Sequence, residues 1–214
     1  MIIRTLAALA LAYCLGSIPF GLLLGRHWGK TDIRQHGSGK TGATNVLRTM
    51  GKKAAAIAAS LDVSKGALAV VFAGLIVGQG AFYVSGLKLD GATIKVLAGL
   101  AAISGHVWPV FYKFRGGRGV ATFFGGLMVL SLPVALLGGE ALIIVVALTR
   151  FASLGSIVGV VVVYTAMAAF YVFSGFPLAY ILYAMFGAIA IIILHRDNIS
   201  RLLAGKERRL GEKS

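Results

Sequence analysis

This sequence predicts an all-α integral membrane protein of seven transmembrane helices, N-terminus outside and C-terminus cytoplasmic, on three observations. Hydrophobic residues make up 58% of the 214 and charged residues only 13%, a balance that a soluble domain, needing a largely polar surface, does not have. Apolar segments close to the roughly 20 residues of one bilayer crossing recur along the chain. Lysines and arginines collect in alternate connections between those segments. Nothing divides the chain, and 1–214 reads as one transmembrane domain.

The first segment, Ile2 to Leu24, imitates a signal sequence, with Arg4 ahead of an apolar run and Leu11-Ala12-Tyr13-Cys14 resembling a lipoprotein box. Tyr13 is too large to precede a lipid-modified cysteine and the run continues past it, so an uncleaved first helix over 3–25 is predicted. Cys14, the single cysteine, has no intrachain partner and reads as a packed thiol. Further spans fall at 54–79, 93–112, 119–132, 133–149, 157–173 and 178–194. The apolar run 119–149 is too long for one average crossing and short for two. Interrupted by Gly125, Gly126, Pro133, Gly138 and Gly139, it reads as a hairpin of two short helices turning near Pro133, with a re-entrant segment as the alternative.

The basic residues test this count. With the N-terminus outside, 17 of the 21 lysines and arginines, Lys213 among them, fall in the cytoplasmic connections 26–53, 113–118, at 150, and in the tail from 196. Only Arg4, Lys88 and Lys95 lie outside, and Lys65 sits within a span near its cytoplasmic end. The positive-inside rule therefore requires an odd number of spans. A net charge of +14 arranged between apolar segments, with no aromatic-studded soluble face, suits anionic lipids and substrates and excludes nucleic acid.

Three loops on that face, near 34–53, 113–119 and 195–202, hold the candidate chemistry. In Gly37-Ser38-Gly39-Lys40-Thr41-Gly42 the glycines free backbone N–H groups to form a nest for an anion, and Lys40 and Arg48 add charge. A nucleotide P-loop is excluded, because its first glycine would fall on Arg34 and a membrane helix, not a strand, precedes the loop. Lys113-Phe114-Arg115-Gly116-Gly117-Arg118-Gly119 again interleaves glycine with cations, and His195-Arg196-Asp197-Asn198 begins the tail. Topology alone explains juxtamembrane cations, but not glycines interleaved with them twice.

Gly37-Ser38-Gly39-x-x-Gly42-Ala43-Thr44-Asn45-Val46-x-Arg48, then Gly105-His106-x-x-Pro109-Val110-Phe111 running into Phe114-Arg115-Gly116-Gly117-Arg118-Gly119-Val120-Ala121-Thr122, then His195-Arg196-Asp197-Asn198-Ile199-x-Arg201-Leu202, resemble three ordered signatures of the bacterial membrane acyl-phosphate:glycerol-3-phosphate acyltransferase family (PlsY type). The resemblance spans essentially the whole chain. It implies transfer of a fatty acyl group from acyl phosphate to the 1-hydroxyl of glycerol 3-phosphate, giving lysophosphatidic acid in phospholipid biosynthesis. It further implies a bacterial cytoplasmic (inner) membrane location, no cofactor, no metal and a soluble acyl-phosphate-producing enzyme as partner; the small size without a soluble domain permits a monomer. By the same resemblance Ser38, Arg48, Arg118, His195 and Asn198 fall on catalytic positions. Gly37, Gly39, Lys40, Gly42, Thr44, Asn45, Arg115, Gly116, Gly117 and Ser153 fall on substrate-binding ones. Ser38 and the 37–42 amides are assigned to acyl phosphate, Arg48 and Arg118 to glycerol 3-phosphate charge, and Asn198 to orientation. The family more often has lysine at 115 and 118, and arginine is a fixed cation that exchanges no proton in turnover. Lys40 stands where the family often has asparagine.

An acyl phosphate carries its own good leaving group, so such an enzyme mainly holds two anionic heads together and orients a hydroxyl. The base is either His195 or a substrate phosphate oxygen; neighbouring arginines lower a histidine's pKa, which favours the phosphate. His27 and Asp32 form the HxxxxD pattern of thioester-dependent acyltransferases without the rest of that pattern. His106, before Pro109, reads as structural. Asp62 and Lys65, three apart on one helix, read as a pair supporting the site. Glu140, inside the fifth span, is expected to be protonated or hydrogen-bonded to a neighbouring helix. A transporter is the rival from another class; it predicts an internal repeat and charged or broken-helix sites near the midplane, whereas no repeat is evident and the motif residues gather at one face.

Overall fold

A computed structural model describes residues 1–78, 80–84 and 86–211. The end of the predicted second span, at 79, and Lys213 of the basic tail lie outside the described residues. The chain folds into a helical bundle. Helix α1 (Ile2–Gly16) is followed after Pro19 by α2 (Phe20–His27), and α3 (Ala43–Met50) leads into the long α4 (Lys52–Val77). After a short antiparallel ribbon of Phe82–Val84 with Leu87–Leu89 come α5 (Gly91–Val107), α6 (Val120–Leu130), α7 (Leu132–Thr149), α8 (Ala152–Ser174), α9 (Leu178–Leu194) and α10 (Arg196–Leu203).

Five helical segments are long and apolar enough to cross a membrane: Ile2–His27, Lys52–Val77, Gly91–Tyr112, Leu132–Thr149 and Ala152–Ser174. A sixth follows if α9 and α10, bent by 60° to each other, count together, but α10 is short and polar. The seventh predicted segment is α6, whose 11 residues rise only about 17 Å. The break predicted near Pro133 falls at Ser131, between α6 and α7, with Pro133 in the first turn of α7, where its missing N–H costs no helical bond.

Small residues bring the helices together, as in lipid, where packing rather than water exclusion drives association. A side chain on Gly66 of α4 would overlap the Thr122 carbonyl of α6, and one on Gly125 of α6 would overlap the Val63 carbonyl, so these backbones touch directly. Phe123 of α6 stacks on Tyr183 of α9, whose hydroxyl donates to the Phe123 carbonyl at 2.8 Å. Leu75, Ile143, Leu148 and Phe173 face outward, as a lipid-facing surface requires.

The break between α1 and α2 was not anticipated. At the break the Ile18 carbonyl accepts from the Phe20 N–H at 3.2 Å and from Lys65 of α4 at 2.8 Å, while Lys65 also pairs with Asp62 at 2.9 Å. The Asp62–Lys65 pair is thus fully buried and holds a helix break. Asp62 also faces His106 at 3.6 Å, and His106 hydrogen-bonds with Thr122 at 3.2 Å, which gives His106 the structural role predicted for it. For Glu140, which projects outward from α7, only the second alternative, a bond to a neighbouring helix, is absent among the described residues.

Candidate active site

The three loops meet at one end of the bundle. The first is shaped by Asn45, which is buried at the start of α3. Its Nδ2 donates to the carbonyls of Ile33 (2.7 Å), Lys40 (2.9 Å) and His36 (3.2 Å), and its Oδ1 accepts from the Ser38 N–H at 3.0 Å. Gly37 and Gly39 adopt φ of +57° and +67°, which glycine tolerates best, and a side chain on Gly37 would overlap Asn45 Oδ1. Asp32 anchors the approach, accepting from Arg34 Nε at 3.0 Å and Nη2 at 2.6 Å, and those bonds hold its carboxyl well below the usual carboxylate range. His27 bonds instead to the Leu23 carbonyl at 3.0 Å, so each half of the HxxxxD pattern is engaged separately.

This geometry takes two amides out of the predicted anion nest. The Ser38 amide is held by Asn45 and the Gly39 amide by the His36 carbonyl at 3.0 Å, leaving neither for a ligand. Asn45 therefore builds the loop instead of lining the cavity, and Thr44 and Gly42 lie outside the lining. The second loop is corrected likewise. Gly116 and Gly117 donate to the Val107 and His106 carbonyls at 3.1 Å each, and a side chain on Gly117 would overlap the His106 ring. These glycines seat the loop on the end of α5 and so place Arg118; Arg115 lines a different cavity.

Between the loops lies a polar cavity of about 180 Å³, lined by Gly37, Ser38, Lys40, Arg48, Arg118, Asp197, Asn198, Arg201, Glu207 and Arg208. Five cations face two carboxylates. Two buried atoms among this lining have no hydrogen-bond partner, Arg118 Nε and Asn198 Oδ1. Burial, more than any neighbour, works against the Arg118 charge, while Glu207 favours it; guanidinium stays protonated regardless.

Glu207 is the residue that sequence reasoning missed. It is buried, accepts from Ser153 Oγ (3.0 Å) and Asn198 Nδ2 (2.6 Å) on Oε1, and from Arg201 Nε (2.8 Å) on Oε2. The signal was a lone acid inside the basic run Lys206-Glu207-Arg208-Arg209, among only seven acids in the chain. Ser153 thus reaches the site through Glu207. The tail is strapped over the cavity, with Arg208 donating to the Gly37 carbonyl at 2.9 Å and Arg48 to the Arg208 carbonyl at 3.3 Å. Arg150 holds the end of the strap at the Leu210 carbonyl, at 2.6 and 3.0 Å.

His195 caps α9 behind this cavity and is buried. Its Nδ1 donates to the Ile191 carbonyl at 2.7 Å, leaving Nε2 as the unprotonated nitrogen. Burial above all pushes its pKa down to about 4; the Ile191 bond opposes it, and smaller effects come from the Arg118 charge, which lowers it further, and from Glu207, which raises it. It is neutral at physiological pH.

A lipid-embedded bundle closed at one end over a small, cation-lined cavity defines an integral membrane protein with an anion-suited site. A family model described as Glycerol-3-phosphate acyltransferase matches residues 6–205. A Glycerol-3-phosphate acyltransferase 3 of Dehalococcoides mccartyi (strain CBDB1) is 58% identical over all of this chain and 99% of its own length. A Glycerol-3-phosphate acyltransferase of Synechococcus sp. (strain CC9902) is 42% identical over all of this chain and 98% of its length. The crystal structure of PlsY (YgiH), an integral membrane glycerol 3-phosphate acyltransferase, in its glycerol 3-phosphate form superposes with a TM-score of 0.83 at 34% identity, covering 97% of this chain and 96% of that one. A lysophosphatidic acid form of the same enzyme gives 0.81 at 33% identity. The chain belongs to the glycerol-3-phosphate acyltransferase family of the PlsY type.

Proposed function

We propose that this protein transfers a fatty acyl group from acyl phosphate to the 1-hydroxyl of sn-glycerol 3-phosphate, releasing inorganic phosphate and lysophosphatidic acid. The observation that carries the reading is the orientation of Asn198. A carboxylate only accepts, so Glu207 requires Nδ2 to face it, and Oδ1, buried in the cavity lining, is left in need of a donor. A substrate hydroxyl supplies that donor. Arg118, with Nε unpaired beside it, and Arg48 receive the glycerol 3-phosphate head, while Ser38 and Lys40 lie against the acyl-phosphate head.

In this reaction the 1-hydroxyl oxygen bonds to the acyl carbon and the acyl carbon–oxygen bond to phosphate breaks. The hydroxyl proton passes to a phosphate oxygen. His195 is a poor base for that proton, since its pKa is near 4 and its Nδ1 is held by the backbone; it supports Asn198 through the Asn198 N–H bond to its carbonyl at 2.8 Å. The relatives' names support glycerol 3-phosphate as acceptor, and the lysophosphatidic acid form of the solved neighbour supports the product.

The same reading places the whole chain, as one domain of seven spans with N-terminus outside, in the bacterial cytoplasmic membrane. The loops then open to the cytoplasm, where a soluble enzyme delivers acyl phosphate to a monomer. The positive-inside distribution supports this orientation. Phosphate release by purified protein given acyl phosphate and glycerol 3-phosphate, with acyl thioester as the competing donor, tests the reaction. Product from thioester alone would replace the donor in this reading.

A further inference from the structure

The Gly37–Lys40 loop has a second cavity on its other side. It measures about 610 Å³, and Arg26, Arg34, Lys113 and Arg115 contribute cations to it, with Phe111 and Tyr112 forming an aromatic wall. Gly39 lines this chamber while Gly37, Ser38 and Lys40 line the polar one, so a single turn of backbone separates the two.

Charge here is in excess. Asp32 engages Arg34 and stands 3.6 Å from Arg26, but Lys113 and Arg115 have no side-chain hydrogen bond or ion pair among the described residues. Lys113 and Phe114 both take the left-handed conformation, φ +55° and +57°, unusual for two consecutive side-chain-bearing residues and a form of backbone strain found at ligand clamps. The Arg26 guanidinium lies 5.6 Å from the Tyr112 ring centre. Beside these cations Trp108, Phe111 and Phe114 are 51%, 60% and 56% exposed, where a membrane helix ends. A free inorganic anion needs only the cations. Cations next to exposed aromatic side chains at a helix end suit a ligand with a charged head and an apolar tail.

We infer that this second cavity binds the singly substituted phosphate head of a single-chain lipid, its tail lying over Phe111 towards the bilayer. The inference rests on the proposed reaction for its biological meaning, since acyl phosphate and lysophosphatidic acid both carry a terminal phosphate on one acyl chain. The site stages such a lipid next to the polar cavity, with the Gly39 turn between them.

The probe is hexadecyl phosphate, which has the head and tail but no acyl group to transfer. Its binding is measured by equilibrium titration of the protein in neutral detergent micelles, with glycerol 3-phosphate saturating the polar cavity. Hexadecyl phosphate is expected to bind under those conditions. The Arg26→Ala/Lys113→Ala double variant should weaken it about tenfold or more with glycerol 3-phosphate affinity unchanged, which also shows that the variant is folded. Phe111→Ala should weaken hexadecyl phosphate and leave inorganic phosphate alone, and phosphatidylglycerol, with a singly charged diester head, should compete poorly. Mutual exclusion by glycerol 3-phosphate, indifference to the double variant, or inorganic phosphate binding as tightly as hexadecyl phosphate would overturn the inference. Because no readout is catalytic, absent acyl transfer with this binding pattern intact sinks the proposed reaction and leaves the site standing.

Discussion

Asn198 Nδ2 donates to Glu207 Oε1 at 2.6 Å, and that bond decides which end of the amide is left without a partner. Orientation of a nucleophile is worth more than its binding, because misplacement by about 1 Å costs on the order of 100-fold in rate. Asn198→Ala is therefore expected to lower kcat about 100-fold with a smaller change in KM. Glu207→Gln keeps the shape but removes the rule that turns Oδ1 inward, and should cost about tenfold. Steady-state kinetics of the two variants and their double, which should be no worse than Asn198→Ala alone, check the coupling.

Arg118 is held in place by a loop whose glycines pack on α5, and its Nε has no protein partner. A charged hydrogen bond contributes about 1.5 to 3 kcal/mol, so Arg118→Ala should raise KM for glycerol 3-phosphate by about 10- to 100-fold. Arg118→Lys keeps the charge, loses the fork and should fall between. Initial rates against glycerol 3-phosphate concentration measure both.

Gly117 has no room for a side chain, since a methyl group would overlap the His106 ring. Gly117→Ala should displace Arg118 and lower the thermal unfolding midpoint in detergent together with activity. A variant as stable and active as the parent would show that the loop yields freely.

His195 is buried and neutral, with its pKa pushed down to about 4. An unfolded histidine takes a proton near pH 6.5, so between about 6.5 and 4 the unfolded state holds more protons and stability falls as pH falls. The contribution is level above this window and saturates below it, at no more than about 3 kcal/mol. Unfolding midpoints from pH 4 to 7 should lose this slope in His195→Gln. The acid limb of kcat, if set by a substrate phosphate as base, should persist in the same variant.

The helical segments were legible because lipid imposes their length and apolarity, and the cation distribution repeated the message. The Ser131 break was legible from Pro133. The α1–α2 break was not read, although Pro19 marks it, because hydropathy averages through one proline. Loop chemistry was read too simply. Glycines and cations looked like a nest, but Asn45 takes the Ser38 amide, and the Gly116 and Gly117 amides return to α5. A sequence shows which backbones are free to turn and does not show which N–H groups the fold has already used. Glu207 escaped because it sits nine residues beyond Asn198, and the fold brings it back through the bonds of Ser153, Asn198 and Arg201 to its carboxylate and the strap of Arg208 on Gly37.

The most direct measurement is release of inorganic phosphate by the purified protein in lipid, given long-chain acyl phosphate and glycerol 3-phosphate together and singly, with Asn198→Ala alongside. Release that requires both substrates, yields lysophosphatidic acid in equal amount and falls about 100-fold in the variant is the predicted result. Phosphate released without glycerol 3-phosphate, or no product from a folded preparation, would contradict acyl transfer at this site.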